Sequence, residues 1–328
     1  MRTAIYALGM LLALAAMRAD ADAAEAIPFA MGEASPANTY LAVWMAEEAG
    51  FYAAQGLDFR TVIMDGGREM AADLEAGEIQ LMHIGMSSVV RDNLMGSDLV
   101  EIGSLSNVIR QTMFVAPGIR RAEDLRGRAI GISSLGSESD STTTLALQRL
   151  GLTRDDVRIR EIGRDRFDAV RRGMVSATML GEPSRSRAMA YELLPIIDLY
   201  AERIPWLYSG LVVDRTYLNE HRDAVLKFMR ATIEGNYLAV TNEIGAKNVL
   251  SRRLNLTEAA IVDSSYENFK QETPINAEID PEGARNVLRA LADMGAGDNI
   301  DDYVDLSIIE ELRGEGFFAA MQEKYGVH

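Results

Sequence analysis

The chain has 328 residues, 48% of them hydrophobic and 25% charged, a globular composition with room for two domains of about 150 residues each. Its formal net charge of −16 disfavours nucleic acids and anionic lipid surfaces as partners, because both carry negative charge themselves. Cysteine is absent, so disulfide bonds, thiolate nucleophiles, cysteine-bound zinc and a lipoprotein anchor are excluded.

The first 26 residues have the pattern of a cleavable signal peptide. Arg2 gives a positive start, and the apolar run "AIYALGMLLALAAM" at 4–17 is too short for a comfortable membrane span. Small residues with Ala-x-Ala spacing follow and end at Ala26. Cleavage there leaves 328 − 26 = 302 residues without a further membrane-spanning run. The alternative interpretation of this segment is a buried or membrane-anchoring helix.

The segment "AEEAGFYAAQGLDF" at 46–59 contains two glycines where a helix is expected to end, Gly50 and Gly56. Glycine just past a helix end adopts the left-handed conformation at little cost. We expect Phe51 and Tyr52, between the two glycines, to pack beneath the preceding helix as core residues. A strand should begin directly after Gly56.

Strands and helices alternate over the next part of the chain, which predicts mostly parallel sheets with right-handed crossovers. The expected strands are, in order, "IPFAMG", "FRTVIM", "IQLMHIG", "VEIGSLS", "QTMFVAP", "RAIGIS", "VRIREI", "SATMLG", "LLPIIDL" and "SGLVVD".

Two parts of the chain share the same internal order. "LEAGEIQLMHIG" at 74–85 aligns with "VRRGMVSATMLG" at 170–181, and each is preceded by a Gly-Leu pair and a strand. This loose repeat predicts two α/β lobes of similar construction. After Tyr217 the pattern is helical, with a well-capped helix at Asp280-Pro281, and we expect this tail to pack on the first lobe.

Short hydroxyl-rich loops follow several of the expected strands. In open α/β sheets, ligands bind beyond the carboxyl ends of strands, where helix N-termini present free N–H groups that suit oxyanions. The loops at 33–36, 85–88, 133–141 and 181–183 hold this position. The same serines are equally explained as helix N-caps, and Glu182-Pro183 as a strand end. His83, within an apolar strand, is expected to be a core residue.

Several segments resemble the solute-binding proteins of ABC importers for nitrate, sulfonates, taurine and thiamine precursors, the NMT1/SsuA-like family. "AEEAGFYAAQGLDF" is similar to the family pattern Ala-x-x-x-Gly-Tyr/Phe-Phe-x-x-x-Gly-Leu-x-Val. "LEAGEIQLMHIG", "EDLRGRAIGIS", "GLTRDDVRI" and "VRRGMVSATMLGEP" resemble later family segments. The resemblance extends from about Pro28 to Ala231, although Gln80 and Ser176 replace residues that are usually Asp.

The resemblance implies a type II periplasmic binding fold with two α/β lobes joined by two crossing segments. The first lobe would comprise residues 27–113 with 212–328, the second would comprise residues 114–211, and the signal peptide residues 1–26. The crossings are expected near Gln111–Pro117 and Pro205–Asp214.

The resemblance also implies a periplasmic, monomeric protein without a cofactor, metal or catalytic residue, which captures a small anionic or heteroaromatic solute and delivers it to a membrane ABC permease. An enzyme on the same fold, like a pyrimidine synthase or a futalosine-pathway dehydratase, and a sensor or TRAP-type receptor are the alternatives. The expected ligand-binding residues lie between the lobes: Ser35, Asn38, Met86, Ser87, Ser134, Gly136, Ser137, Ser139, Glu182 and Tyr208.

Overall fold

The computed structural model of the protein describes residues 26–33, 36–64 and 67–327. The signal-peptide prediction therefore falls outside the described residues, apart from the exposed Ala26. The strands among these residues are β1 (Ile27–Glu33), β2 (Leu57–Ile63), β3 (Leu81–Ile84), β4 (Leu99–Val108), β5 (Thr112–Val115), β6 (Ala129–Ile132), β7 (Arg158–Glu161), β8 (Ala177–Leu180), β9 (Leu194–Asp198) and β10 (Pro205–Asp214).

The α-helices of the described part follow the same alternation and then take over the C-terminal third. They are α1 (Leu41–Glu48), α2 (Phe51–Ala54), α3 (Gly67–Glu75), α4 (Met86–Leu94), α5 (Glu138–Arg149), α6 (Arg166–Arg171), α7 (Ser184–Ala190), α8 (Arg215–Glu220), α9 (Arg222–Thr241), α10 (Glu243–Arg253), α11 (Ala259–Glu272), α12 (Pro281–Ala290), α13 (Ser307–Gly314) and α14 (Phe317–Tyr325). No helix in this part of the chain has both the length and the apolar composition needed to cross a membrane.

The strands form two five-stranded sheets of matching design. The first sheet has the order β2-β1-β3-β10-β4 and the second the order β7-β6-β8-β5-β9. In each sheet the first three strands are parallel, and the fourth runs antiparallel to both of its neighbours. The predicted pair of similar α/β lobes is therefore confirmed, and every expected strand is present. The expectation of mostly parallel sheets is wrong, because β10 and β5 make antiparallel pairs on both sides, which are half of the strand pairs.

The crossings between the lobes are shorter than expected. The chain passes from β4 to β5 through residues 109–111 and returns from β9 to β10 through residues 199–204. The expected crossing at Pro205–Asp214 is wrong, because this segment is β10, which pairs with β3 and β4 of the first sheet. Likewise, most of Gln111–Pro117 is β5, paired with β8 and β9. Residues 205–211 thus belong with the first sheet, and residues 112–113 with the second.

The two glycines at the end of the first helical segment have the conformation that the sequence predicts. Gly50 and Gly56 have φ angles of 74° and 76°, which end α1 and α2 before β2 begins. Tyr52 is buried, stacks on Phe59 with ring centroids 3.9 Å apart, and bonds Thr232 of α9 through its hydroxyl. Burying such a ring contributes about 1.5–3 kcal/mol relative to exposure, so this segment stabilises the first lobe.

The C-terminal helices pack mainly on the first lobe, as expected. Helix α9 lies against α1 so closely that a Cβ at Gly235 would fall 2.2 Å from the carbonyl oxygen of Ala42. Helix α11 does more than was expected, because it also reaches the second lobe. Its Ser264 hydroxyl is 2.9 Å from the hydroxyl of Ser186 in α7. The helical tail therefore contributes to the surface where the lobes meet.

Candidate functional site

A cavity of about 230 Å³ lies between the two lobes. The first lobe lines it with the start of the 3-10 helix at Asn38–Tyr40, the end of β3 and part of β10. The second lobe contributes the loop before α5, the loop after β7 and the loop after β8. These are the carboxyl ends of parallel strands, the position where ligands bind in open α/β sheets.

The loop before α5 presents a cluster of serine hydroxyls to the cavity. Ser133 Oγ is 2.9 Å from Ser137 Oγ and 2.8 Å from Ser139 Oγ, and Ser137 Oγ donates to Ser134 O over 2.7 Å. Ser137 stands at the N-cap of α5, yet its side chain makes no capping hydrogen bond. The hydroxyls are therefore held by one another at the helix N-terminus, where free N–H groups favour a negatively charged ligand.

Three arginines add positive charge to the lining: Arg110 from the crossing after β4, and Arg164 and Arg166 from the end of β7. Arg166 donates from Nε to Met179 O and from Nη1 to Gly163 O, both over 3.3 Å. Burial lowers the pKa of Arg166 from its ordinary value, but a guanidinium stays protonated at neutral pH.

The first lobe contributes a Tyr–His–Ser group. His83 Nε2 is 2.5 Å from Ser209 Oγ, and the His83 ring meets the Tyr40 ring edge-on with centroids 4.0 Å apart. Burial, helped by the nearby Arg110, lowers the pKa of His83 to about 3. His83 is therefore neutral at physiological pH. It is buried, as expected of a core residue, but it also lines the cavity.

Glu182 is the acidic group of the loop after β8. Its carboxylate is 3.5 Å from Arg185 Nη1 and accepts a 3.4 Å hydrogen bond from Ser264 of α11. Its second oxygen accepts from the backbone N–H of Ser186, also over 3.4 Å. Glu182 thus lies beside an arginine that also pairs with Asp198, and it attracts Arg110 without contacting it.

Glu138, the first residue of α5, joins the lobes beside the cavity. One carboxylate oxygen accepts from the Ser87 N–H of the first lobe over 2.7 Å, and the other accepts from Trp206 Nε1 over 2.8 Å. Burial raises the pKa of Glu138 to about 7. At Gly85 a Cβ would lie 2.4 Å from this carboxylate, so glycine is needed for the approach.

Most of the predicted ligand-binding residues line the cavity, but not all of them. Those on its surface are Asn38, Ser134, Ser137, Ser139, Glu182 and Tyr208. Met86 instead lies in the hydrophobic core. Ser87 is buried away from the cavity, because its N–H is directed to Glu138 and its hydroxyl finds no partner among the described residues. Gly136 packs against Arg91, and Ser35 lies outside the described residues.

The sequence analysis missed the cationic side of the cavity. Arg164 and Arg166 directly follow the strand segment "VRIREI", so the rule that selected the serine loops applies to them equally. Arg110 stands in the short crossing after β4, one residue before the crossing that was expected. The sequence did not indicate Glu138 as a site residue, because its role depends on contacts with the other lobe.

Comparison with known proteins agrees with this fold. A protein of Bordetella bronchiseptica RB50 superimposes with a TM-score of 0.77 at 17% identity, covering 92% of this chain and 99% of that one. The periplasmic aliphatic sulphonate binding protein SsuA of Escherichia coli gives a TM-score of 0.68 at 19% identity, covering 84% and 96%. The desulfurization enzyme DszB gives 0.66 at 17% identity, covering 88% and 99%. At these identities the likeness shows the periplasmic binding protein fold.

A sequence relative and a family model complete the comparison. The riboflavin-binding protein RibY of Chloroflexus aurantiacus is 25% identical over 202 residues, an alignment that spans 58% of this chain and only 56% of that protein. The model of the family described as NMT1/THI5 like matches residues 38–243, which is more than half of the chain. The protein belongs to the NMT1/THI5-like family, as its sequence resemblance implied.

Proposed function

We propose that the protein is the periplasmic solute-binding component of an ABC importer and that it captures a small anionic solute between its lobes. The observation that carries the proposal is the cavity itself, where three arginines and a cluster of serine hydroxyls converge. Donors fixed around an enclosed site recognise an oxyanion without having to reorganise when it binds. The likeness to SsuA, an aliphatic sulphonate binding protein, supports the same class of ligand.

Transport also requires an exported protein that opens and closes. The N-terminal signal-peptide pattern supports export, and the contacts from Glu138 and α11 support closure, because both join the lobes around the cavity. The permease would then receive the solute from a protein that acts as a monomer and needs no cofactor.

A heteroaromatic solute is the second candidate. Tyr40 and His83 form an edge-to-face pair in the cavity wall, and the relative RibY is a riboflavin-binding protein. Against it, no side chain with a six-membered aromatic ring lines the cavity other than Tyr40 and Tyr208, within the part of the chain that the structure describes. The lining carries three arginines against the carboxylates of Glu138 and Glu182, and this excess of positive charge favours the anion.

An enzymatic role would have to use the short contact between His83 and Ser209, since DszB shows that the fold can carry an enzyme. A serine nucleophile needs a basic imidazole that a third group orients. Here His83 Nδ1 has no hydrogen-bond partner among the described residues, and a pKa of about 3 makes the imidazole a weak base. The pair is better suited to shaping the cavity than to catalysis.

The direct test is calorimetry on the exported form with a panel of alkanesulfonates, nitrate, small carboxylates and riboflavin, together with mass spectrometry of any co-purified solute. We expect one anion class to bind with a stoichiometry near one and to be recovered unchanged. Binding of riboflavin but none of the anions would replace the anionic proposal with the heteroaromatic one. Turnover of a bound compound would contradict a purely binding role.

A further inference from the structure

Arg110 is the most deeply buried of the cavity arginines, at 3% exposure. Its Nε donates to Asn268 Oδ1 of α11 over 3.0 Å, and its Nη2 donates to the same oxygen. Its Nη1 is buried and has no hydrogen-bond partner among the described residues. Leaving a charged donor unpaired in the interior is costly, so this nitrogen favours a ligand that accepts from it.

The partner that holds Arg110 is neutral, which is unusual for a buried arginine. Two carboxylates attract Arg110 without contacting it: Glu272, which also pairs with Arg203, and Glu182, which lies beside Arg185. Burial lowers the pKa of Arg110 to about 10, and the weaker attraction of surrounding groups opposes the change. The guanidinium therefore keeps its positive charge at neutral pH without a carboxylate in contact.

Asn268 is fixed in the orientation that this contact needs. Its Oδ1 accepts from Asn38 Nδ2 over 2.9 Å as well as from Arg110, and its side chain also bonds the phenol of Tyr200. Asn38 is anchored in turn by a 2.8 Å bond to Ser265 O. Two donors lie on one side of the Asn268 amide and the Tyr200 hydroxyl lies on the other, so the amide oxygen has to face the guanidinium of Arg110.

This arrangement brings together distant parts of the chain. Arg110 and Asn268 are 158 residues apart, and Asn268 lies outside the 38–243 segment that matches the family model. Helix α11, outside the matched segment, thus supplies the partner that holds a cavity arginine.

We propose that Asn268 is a positioning residue that holds Arg110 as an uncompensated cation, so that the anionic group of the solute becomes its counter-ion through Nη1. This inference rests on the proposed function, which it deepens by naming the residue pair that selects for negative charge. A carboxylate at position 268 would satisfy Arg110 within the protein, and the cavity would then lose its preference for anions.

The first arm of the test needs no ligand. Asn268→Asp should leave the melting temperature unchanged or raise it, because the new carboxylate pairs with a buried guanidinium. The control is Asn219→Asp, at an exposed residue of α8 outside the cavity, which adds the same charge to the surface. If Asn268→Asp lowers the melting temperature well below that of the control, Arg110 is not an uncompensated cation, and the inference is overturned.

The second arm uses butanesulfonate and its neutral analogue butanesulfonamide as probes. For Asn268→Asp we expect butanesulfonate to bind at least about tenfold more weakly than to the wild type, while the sulfonamide changes by less than about twofold. Asn219→Asp should bind both probes like the wild type. A merely structural role for Asn268 would weaken both probes alike, and that result would overturn the inference.

The two proposals can fail separately. If no anion binds the wild type, the proposed anionic solute is wrong, and the melting temperatures still decide whether Asn268 leaves Arg110 uncompensated. If butanesulfonate binds the wild type and Asn268→Asp equally well, the proposed function stands and the role of Asn268 is rejected.

Discussion

The carboxylate of Glu138, in the second lobe, accepts a 2.7 Å hydrogen bond from the backbone N–H of Ser87, in the first lobe. A second bond from Trp206 Nε1 makes the same carboxylate a contact with two elements of the first lobe, α4 and β10. The carboxylate is enclosed only where the lobes meet, so its titration should report on closure.

We predict that closure, and with it solute affinity, increases as the pH falls. Burial between the lobes raises the pKa of Glu138 from 4.5 to about 7, although the hydrogen bonds from Trp206 and Ser87 act in the opposite direction. In an open form the group should return to its ordinary pKa, so the closed form binds more protons between these two values. The equilibrium constant for closure then increases by up to about tenfold for each pH unit below pH 7 and levels off near pH 4.5. Above pH 7 it does not depend on Glu138.

Calorimetric titrations at pH 5, 6, 7 and 8 measure this dependence, with small-angle scattering as the measure of closure. Glu138→Gln should flatten the pH profile, because an amide does not titrate. Glu123→Gln, at an exposed carboxylate of the same lobe outside the cavity, is the control and should keep the wild-type profile. The titratable group that interacts electrostatically with Glu138 is Glu101, whose own pKa is raised by burial and by the charge of Glu138. A wild-type affinity that does not change between pH 5 and 8 would contradict the prediction.

A second prediction concerns the glycine against which Glu138 packs. In Gly85→Ala the added Cβ would lie 2.4 Å from the Glu138 carboxylate, so this carboxylate has to be displaced from the first lobe; the Cβ would also lie 2.4 Å from the carbonyl oxygen of Tyr208, which belongs to the same lobe as Gly85. We expect about tenfold weaker solute binding and a larger radius of gyration, with the circular dichroism of the wild type. Gly314→Ala, where a Cβ meets no atom within 4 Å, is the control. Unchanged scattering for Gly85→Ala would show that Glu138 does not set the lobe distance.

The sequence predicted the repeated part of the fold well, for identifiable reasons. Gly50 and Gly56 mark helix ends through their local conformation, and the apolar strands are recognisable over a few residues. The serines before α5 could be placed at the cavity because a strand end followed by a helix start is a local pattern. The crossing at Pro205–Asp214 was misplaced, because only pairing with β4 shows that this segment belongs to the first sheet.

The remaining parts of the site could not be predicted, because they depend on residues far apart in sequence. Asn268 meets Arg110 across 158 residues, and Glu138 meets Ser87 across 51. No period or motif links such pairs. The helical tail was expected on the first lobe alone, and its contact through Ser264 with the second lobe follows from tertiary packing.

A third prediction concerns Glu101, a fully buried residue of β4 whose carboxyl oxygens have no hydrogen-bond partner among the described residues. Burial, followed by the charge of Glu138, raises its pKa well above 4.5. A carboxyl with a raised pKa opposes folding as the pH rises, since the folded form resists ionisation. We therefore expect the stability of the wild type to fall as the pH rises above 4.5, the ordinary pKa of the group in the unfolded chain, towards its raised pKa in the folded form.

Replacing this carboxyl with an apolar group of similar size should remove the penalty. Glu101→Met is expected to stabilise the protein by about 1–3 kcal/mol at neutral pH, the cost of an unsatisfied buried polar group. It should also reduce the loss of stability at alkaline pH. Urea unfolding at pH 6, 7.5 and 9 measures both effects. A destabilised Glu101→Met variant would mean that the carboxyl makes an interaction that the fold requires.

A fourth prediction separates two serines of the same helix-start type. Ser137 lines the cavity, whereas Ser87 is buried behind the wall. For an anionic solute, Ser137→Ala should cost about 1–2 kcal/mol of binding, the value of a hydrogen bond to a charged acceptor. Ser87→Ala should bind like the wild type, because its backbone N–H still donates to Glu138. Calorimetry on the two variants tests this, and equal losses would place the solute elsewhere.

The last prediction uses Glu182 to read the charge of the solute. Its carboxylate is 3.5 Å from Arg185, so Glu182→Gln removes a negative charge from the cavity wall and leaves Arg185 less compensated. An anionic solute should then bind equally well or more tightly. A solute with an exposed amino or cationic group should instead bind at least tenfold more weakly, roughly 1.4 kcal/mol. The exchange of carboxylate for amide preserves the shape of the side chain. A change in affinity measured by calorimetry with the co-purified solute therefore reports the effect of charge rather than of steric fit. Weaker binding of an anion by this variant, with lobe closure unchanged in small-angle scattering, would contradict the proposed role of the arginine-lined cavity, since the removed charge repels an anion.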